Sequence, residues 1–391
     1  MISVDQALTA IFELITPLPS ETVTLRQACG RVLTEDAVAT RDQPPFPSSA
    51  MDGYAVRDTD VAPGARLTVI GEAAAGHRFS GPVGPGQAVR IFTGAPVPAG
   101  ADRIVIQEDV IRDGPQIRIG EAPDTQAYIR PAGGDFRAGT RLVAGRRLRP
   151  ADISLLASMN VNNLRVARRP VVAILGTGDE LVAPGETPGP DQIVSSNGIG
   201  LAALVEAEGA SARILPIARD TVAALRDGLA LARGADLIVT SGGASVGDHD
   251  LIANAAEELG LERQFYKVAM RPGKPLMAGR HAGIPLIGLP GNPVSTMVCG
   301  SIFILPALRA MMSLPAVAAP RHPARLAHPL SANGPREHYM RARTEADGTV
   351  RAFDRQDSSL QNILSQADAL IVRPPGDRAR KTGESIEIVP I

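Results

Sequence analysis

The chain has 391 residues, 40 Lys and Arg against 41 Asp and Glu for a formal net charge of −1, 44% hydrophobic residues and only 3% aromatics, with no Trp. It is too long for one ordinary domain, and without a cationic excess or stacking rings it is not a general nucleic-acid binder. Cys29 and Cys299 stand far apart with no CxxC pattern, which excludes a disulfide framework and a zinc cluster and fits a reducing compartment.

Ser3 followed by Gln6 forms a capping-box pattern. Val4, Ala7, Leu8, Ile11, Phe12 and Ile15 then keep helical spacing until Pro17 and Pro19. Asp5 and Glu13 interrupt any basic-then-apolar leader, so a cytoplasmic location is expected. Residues 28–135 change to short β-like runs punctuated by Gly and Pro, a small all-β unit. Residues 150–159 again look helical, so the β unit is expected as an insertion in a helical domain made of 1–27 and 136–168. Within the insertion, Pro44-Pro45-Phe46-Pro47-Ser48-Ser49-Ala50-Met51-Asp52-Gly53 is stiff. It is either a structural strap or a rigid mount for Ser48, Ser49 and Asp52. Phe92-Thr93-Gly94-Ala95-Pro96-Val97-Pro98 has the same dual reading.

From 169 to about 315, strands and helices alternate. Strands are predicted over 171–175, 213–217, 237–240 and 285–289, and helices over 198–208, 221–232, 251–259 and 294–311. Continuous β-branched runs predict a parallel sheet buried on both faces, hence a doubly wound α/β domain. The apolar stretch from Met297 to Leu308 contains Gly300, Ser301 and Pro306 and reads as a buried helix, not a membrane span. After a Pro-rich joint at 314–320, the tail reads as short strands, a small β-barrel or sandwich.

Open α/β sheets bind ligands beyond the carboxyl ends of their strands, and acidic side chains and glycine turns gather there. Gly176-Thr177-Gly178-Asp179-Glu180 ends the first strand and Asp220 follows the second. Ser241-Gly242-Gly243-Ala244-Ser245-Val246-Gly247-Asp248-His249-Asp250 follows the third, and Gly288-Leu289-Pro290-Gly291-Asn292-Pro293 the fourth. Glycine lets backbone N–H groups approach an anion. Carboxylates beside an anion make sense with a cation between them, and Mg²⁺ with a phosphate is the usual answer. Any one Asp could instead cap a helix, Asp220 before Thr221 in particular. The Gly176 loop has Leu181 where a dinucleotide fingerprint needs its third glycine, and Pro272-Gly273-Lys274-Pro275 is an incomplete phosphate loop. Lys267, Arg271 and Lys274 either decorate a solvated strand or neutralise an oxyanion at the same rim. Arg336, Arg341, Arg343 and Ser358-Ser359 either bind an anion as well or simply decorate the surface.

Taken in order, Pro-Phe-Pro-Ser-Ser-Ala-Met-Asp-Gly-Tyr-Ala-Val-Arg, Thr-Gly-Ala-Pro-Val-Pro, Gly-Asp-Glu-Leu, Ser-Gly-Gly-Ala-Ser-Val-Gly, Pro-Gly-Lys-Pro and Leu-Pro-Gly-Asn-Pro-Val-Ser resemble the molybdopterin molybdenumtransferase family, the bacterial MoeA proteins and the gephyrin E domain. The resemblance spans the whole chain. It implies a homodimer of subunits in four segments: a helical dimerisation domain (1–27 and 136–168), an inserted β domain (28–135), an α/β molybdopterin-binding domain (169–318) and a C-terminal small β-barrel (319–391). The site would lie between one subunit's α/β domain and its partner's N-terminal region. The implied activity inserts molybdate into adenylylated molybdopterin and releases AMP.

By motif position the resemblance points to Asp52, Thr93, Asp135, Glu180, Asp220, Asp250, Lys267, Arg271, Pro290 and Pro293, with Arg341 and Ser358 in the C-terminal region. Asp52, Thr93, Asp220 and Asp250 would be catalytic. Gly176, Thr177, Gly178, Ser241, Gly242, Gly243, Pro290, Gly291, Asn292 and Pro293 would hold the substrate. Lys267, Arg271, Lys274, Arg341 and Ser358 would bind molybdate, and Glu180, Asp220 and Asp250 would place Mg²⁺. The upstream adenylyltransferase and recipient molybdoenzymes are implied partners, with no nucleic acid and no membrane. The adenylyltransferase, which resembles the α/β domain alone, is the competing enzyme reading, and a non-catalytic scaffold is a third.

Overall fold

A computed structural model describes residues 1–242 and 258–391. Residues 251–257 of the predicted helix over 251–259, and Gly243, Asp248 and Asp250, lie outside the described residues. The chain divides into two compact units, one of Met1–Glu21, Gly30–Thr34 and Val166–Ile391, the other of Thr22–Cys29 and Glu35–Arg165.

In the first unit a six-stranded sheet runs in the order Ser211–Ile214, Val171–Gly176, Leu237–Ser241, Ile284–Leu289, Met277–His281, Leu261–Tyr266. The first four strands are parallel. Val172 and Ile174 enter a core shared with the Asn197–Ala207 and Pro293–Met311 helices, while Ala173 and Leu175 enter another with the Val222–Ala230 helix. Both faces are therefore covered, which is why those strands are continuously apolar. The sheet is doubly wound, as the sequence implies.

The last two strands form an antiparallel hairpin that the sequence pattern does not reveal. Glu262, Arg263 and Gln264 are all exposed on the edge strand, and a bulge between Arg263 and Phe265 breaks the two-residue alternation. The second strand ends at Ile214 rather than 217, because Pro216 has no N–H to give a ladder.

The N-terminal helix, Val4–Leu14, begins with the expected capping box: Ser3 Oγ accepts from Gln6 N and Gln6 Oε1 from Ser3 N. Its apolar face, Val4, Ala7, Leu8, Ile11 and Leu14, is buried in the α/β core. The helix Pro293–Met311 is long and apolar enough to cross a membrane, but 78% of it is buried inside the fold. It widens into a π-turn over Gly300–Ile304, just before Pro306, which cannot donate to the carbonyl four residues back.

The C-terminal strands close a five-stranded barrel in the order Glu337–Thr344, Thr349–Ala352, His322–Leu326, Ser385–Pro390, Ala369–Arg373, with the last pairing back on the first. Met270–Arg271 adds to the barrel in parallel beside Glu337 and His338.

The second unit is built on a mixed six-stranded sheet, ordered Arg103–Ile106, Gly53–Val56, Gln87–Ile91, Arg66–Ala73, Gln116–Ile119, Val110–Asp113. Tyr54 and Val56 enter one apolar cluster and Ala55 the other. Pro150–Ser158 is helical, its first turn held by buried Asp152, which accepts from Arg149 N and pairs with Arg146.

Ile11 is fully buried beneath the N-terminal helix. Ile11→Ala is expected to cost about 3 kcal/mol of stability, read as a lowered midpoint in urea unfolding of the whole chain.

Candidate active site

The strand order of the α/β sheet reverses between Val171–Gly176 and Leu237–Ser241, since the chain passes from the first of these to one side and then returns to the other. That switch point opens a crevice at the carboxyl ends, and Thr177, Ser241 and Gly242 stand in it. Thr177 N donates to Ser241 O at 3.0 Å, Gly178 N to Ala218 O at 3.1 Å and Gly242 N to Leu289 O at 3.3 Å, so four strand ends are laced into one rim. Gly242 adopts φ +99° and a Cβ there would overlap Thr177 O, so only glycine fits.

Asn197 opens the helix behind this rim. Its Nδ2 donates to Ser241 Oγ (2.9 Å) and Gly291 O (2.7 Å). Thr296 Oγ1 donates to Pro290 O at 2.7 Å and fixes the Pro290-Gly291-Asn292-Pro293 turn from within the following helix. Asn197 Oδ1 and Thr177 Oγ1 are buried without a hydrogen-bond partner. The structure thus brings Gly176, Thr177, Gly178, Ser241, Gly242, Pro290, Gly291, Asn292 and Pro293 together. Asn197 and Thr296 are what sequence reasoning missed: Asn197 acts on loops distant in the chain, and Thr296 turns back on Pro290 from a largely apolar helix.

Among the described residues, the carboxylates of Glu180 and Asp220 flank the crevice. Glu180 is exposed and folds back over Gly178, where a Cβ would overlap its carboxylate. Asp220 is half-buried, and its backbone N donates to Asp179 Oδ1 at 3.2 Å. Thr221, not Asp220, caps the Val222–Ala230 helix by accepting from Ala224 N at 3.2 Å. The capping alternative for Asp220 therefore falls away and its carboxylate stays available.

The basic residues lie on the segment that joins the sheet hairpin. Lys267 has φ +71° and holds its Nζ 4.5 Å from the Tyr266 ring. Gly273, at φ +109°, packs where a Cβ would overlap Cys299 Sγ, which seats the Pro272-Gly273-Lys274-Pro275 turn on the Pro293–Cys299 helix. Among the described residues none of Lys267, Arg271, Lys274 or Arg336 has a carboxylate at ion-pair distance.

The barrel meets the rim through Ser358, whose Oγ accepts from Asn292 Nδ2 at 2.9 Å and whose carbonyl accepts from Val294 N at 3.1 Å. Arg341 is only 1% exposed. Its guanidinium is turned inward to Gln356 Oε1, Leu360 O and Arg355 O. Beside Arg271, buried His338 has its pKa pushed down to about 4, by burial first and then by Arg271, Arg373, Arg336 and Arg341. It is neutral at pH 7 and adds no charge to this basic neighbourhood.

In the second unit, Asp52 and Thr93 form a pair of their own. Asp52 Oδ1 accepts from Thr93 N at 2.7 Å and from Thr93 Oγ1 at 2.8 Å. Gly53 packs where a Cβ would overlap Val105 O, and Arg90 lies against the Tyr54 and Phe92 rings, so the turn is held on both sides. Ser48 and Ser49 are buried, and Ser49 Oγ donates to Met51 O at 2.6 Å. They shape the strap, while Asp52 and Thr93 face outward. Asp135 is exposed and is held through its backbone N, which donates to Gln43 O at 2.9 Å.

Comparison with known proteins accounts for the chain from end to end. Residues 2–160 match the MoeA N-terminal region (domain I and II), 173–310 a probable molybdopterin binding domain, and 323–391 the MoeA C-terminal region (domain IV). A molybdopterin molybdenumtransferase of Nostoc sp. is 35% identical over 408 residues, covering 100% of this chain and 94% of that protein. Molybdopterin molybdenumtransferase 2 of Mycobacterium tuberculosis is 37% identical, covering 96% of each. The crystal structure of a molybdopterin biosynthesis MoeA protein from Pyrococcus horikoshii OT3 superposes with a TM-score of 0.85 at 27% identity, covering 100% of both chains.

The Thr93 N–H, then its hydroxyl, holds the Asp52 carboxyl below the usual carboxylate range. Whatever this depressed pKa contributes to stability is present above the unfolded pKa and lost as pH falls through the folded one. Thr93→Val keeps the N–H bond and removes the hydroxyl, so Asp52 should titrate at higher pH than in wild type, as read by carboxyl NMR titration.

The three matched regions, taken with the full-length relatives, place this chain in the MoeA family of molybdopterin molybdenumtransferases.

Proposed function

We propose that this chain inserts molybdate into adenylylated molybdopterin, releasing AMP and yielding the molybdenum cofactor. The observation that carries the reading is the Asn292–Ser358 hydrogen bond. It ties the turn suited to a phosphate chain to the segment that carries a candidate oxyanion ligand. The family's full-length relatives support the same reading.

The glycine turns at Gly176–Gly178, Ser241–Gly243 and Pro290–Pro293 receive the pterin phosphate and the pyrophosphate, since small residues let an anion approach the backbone closely. Lys267, Arg271 and Lys274 neutralise the tetrahedral molybdate dianion, with Ser358 as a hydroxyl donor. Arg341 serves the same end by holding the Ser358 segment. The dithiolene sulfurs that take up molybdenum belong to the substrate, so a chain with two cysteines suffices.

Mg²⁺ takes one or two carboxylates together with substrate phosphates rather than an all-protein cage. Among the described residues no cluster of three or more His, Cys, Asp or Glu is present, and Glu180 and Asp220 at the rim fit that smaller donor set, with Asp250 as the further candidate. When bound, the ion polarises the phosphoanhydride. Asp52, Thr93 and Asp220 act in cleavage of the pyrophosphate, and Glu180 and Asp250 place the ligand. The reading includes a homodimer in the cytoplasm that takes its substrate from the upstream adenylyltransferase and passes the product to recipient molybdoenzymes.

AMP released from adenylylated molybdopterin, with Mg²⁺ and with or without molybdate, tests the reading. Wild type should release AMP only when molybdate is present, and Asp220→Ala should lower the rate by about a hundredfold or more. ATP turnover on unmodified molybdopterin would move the chain to the adenylyltransferase class. Unchanged AMP release in Asp220→Ala would remove that residue from the mechanism.

A further inference from the structure

We propose that Gln356 is a positioning residue for the oxyanion end of the site: its carboxamide replaces the ladder rung that the barrel loses after Ala352, and so fixes the strap that lays Ser358 on Asn292. The proposal rests on the molybdate reading above.

The Glu337–Thr344 strand pairs with Thr349–Ala352 as far as Ala342 opposite Ala352. Phe353 N still donates to Arg341 O at 3.0 Å, and the chain then turns away. Departure of a neighbouring strand strands the backbone groups it served, and here they are the N–H of buried Arg341 and the C=O of Phe353. Gln356 replaces them from its side chain. Its Oε1 accepts from Arg341 N at 2.9 Å and Arg341 Nε at 3.3 Å, and its Nε2 donates to Arg341 O at 2.9 Å and Phe353 O at 2.7 Å. Both neighbours of Nε2 are carbonyl oxygens, which only accept, so the orientation of the amide is fixed by chemistry.

The consequence reaches the rim. With its Nε held by Gln356, the Arg341 guanidinium donates to Arg355 O at 3.4 Å and Leu360 O at 3.3 Å, one on each side of Ser358. Asp357 tightens the middle of the strap, its Oδ1 accepting from Ser359 N at 2.9 Å and Ser359 Oγ at 2.6 Å. Gln361 Nε2 donates to Ser196 Oγ at 3.0 Å, beyond the strap on the α/β side. The strap is therefore clamped at both ends, and Ser358 is carried between the clamps onto Asn292. A glutamate at 356 would accept both Arg341 bonds but donate neither of the other two. An alanine would take that partner from the Arg341 N–H and the Phe353 C=O.

The test is the molybdate dependence of AMP release by the full chain for wild type, Gln356→Ala, Gln356→Glu, Ser358→Ala and the Gln356→Ala/Ser358→Ala double variant. Gln356→Ala should raise the molybdate KM about tenfold or more and leave the KM for adenylylated molybdopterin within about twofold. Ser358→Ala should do the same, Gln356→Glu should fall between, and the double variant should be no worse than the poorer single one. An unchanged molybdate KM in Gln356→Ala, equal rises in both KM values, or fully multiplicative effects in the double variant would each overturn the proposal. If wild type shows no molybdate-dependent AMP release, the insertion reading fails separately. Equilibrium dialysis of molybdate alone then compares wild type with Gln356→Ala, and equal affinities there overturn the positioning role.

Discussion

The parallel register that sets Gly176 opposite Ser241, and Ser241 opposite Leu289, governs the rest of the candidate site. A one-residue slip would turn every side chain to the other face of the sheet. Both faces are packed, so the register is strongly specified by the two cores. Once it is set, the loops after these strands must emerge side by side. The Gly242 backbone then presses so closely on Thr177 O that no Cβ fits. The geometry of the rim is thus a by-product of sheet packing, which gives it the rigidity of a core rather than of a surface loop.

The barrel solves a different problem. Closure leaves its five strands without a free edge within the ladder, yet it still accepts Met270–Arg271 beside Glu337 and His338. The same strand, three residues on, carries Arg341 and through it the Ser358 strap. One barrel strand therefore aligns both the segment bearing Arg271 and the one bearing Ser358. Burial pulls the Arg341 pKa down, a cost that its several carbonyl acceptors offset through charge-assisted hydrogen bonds.

Elements with a single dominant physical cause were legible in the sequence. The Ser3–Gln6 box, the doubly wound strands and the glycine turns each declare themselves through local chemistry. The hairpin Leu261–Tyr266/Met277–His281 did not, because an exposed edge with a bulge carries no clean period. Candidate site residues were legible where they belong to a turn, as with Pro290–Pro293 or Asp52. They were illegible where they act at a distance. Asn197 reaches Gly291, and Gln356 reaches back to Arg341, through side-chain bonds whose partners are set only by the fold. The inward turn of Arg341 was hidden for the same reason, since sequence reports its charge but not where its five donors point.

In the proposed oxyanion site, charge and placement divide the labour. A chain of near-zero net charge has little long-range pull on an anion. Attraction must then come from cations left uncompensated locally, and Lys267, Arg271, Lys274 and Arg336 meet that condition among the described residues. Such cations attract any oxyanion, so charge alone gives no discrimination among them. Discrimination requires donors in fixed positions, because a misplaced donor costs nearly as much as an absent one. Lys267 is restrained by its left-handed backbone and the Tyr266 ring, Arg271 by its pairing with the barrel, and Ser358 by its clamped strap. Lys267 and Arg271 sit on the segment joining the sheet hairpin and Ser358 on the barrel strap, so in the proposed reading a ligand that met all three would match the spacing between the two. That spacing is set by packing, so in the proposed reading selectivity at the rim is a property of the folded unit rather than of any one residue.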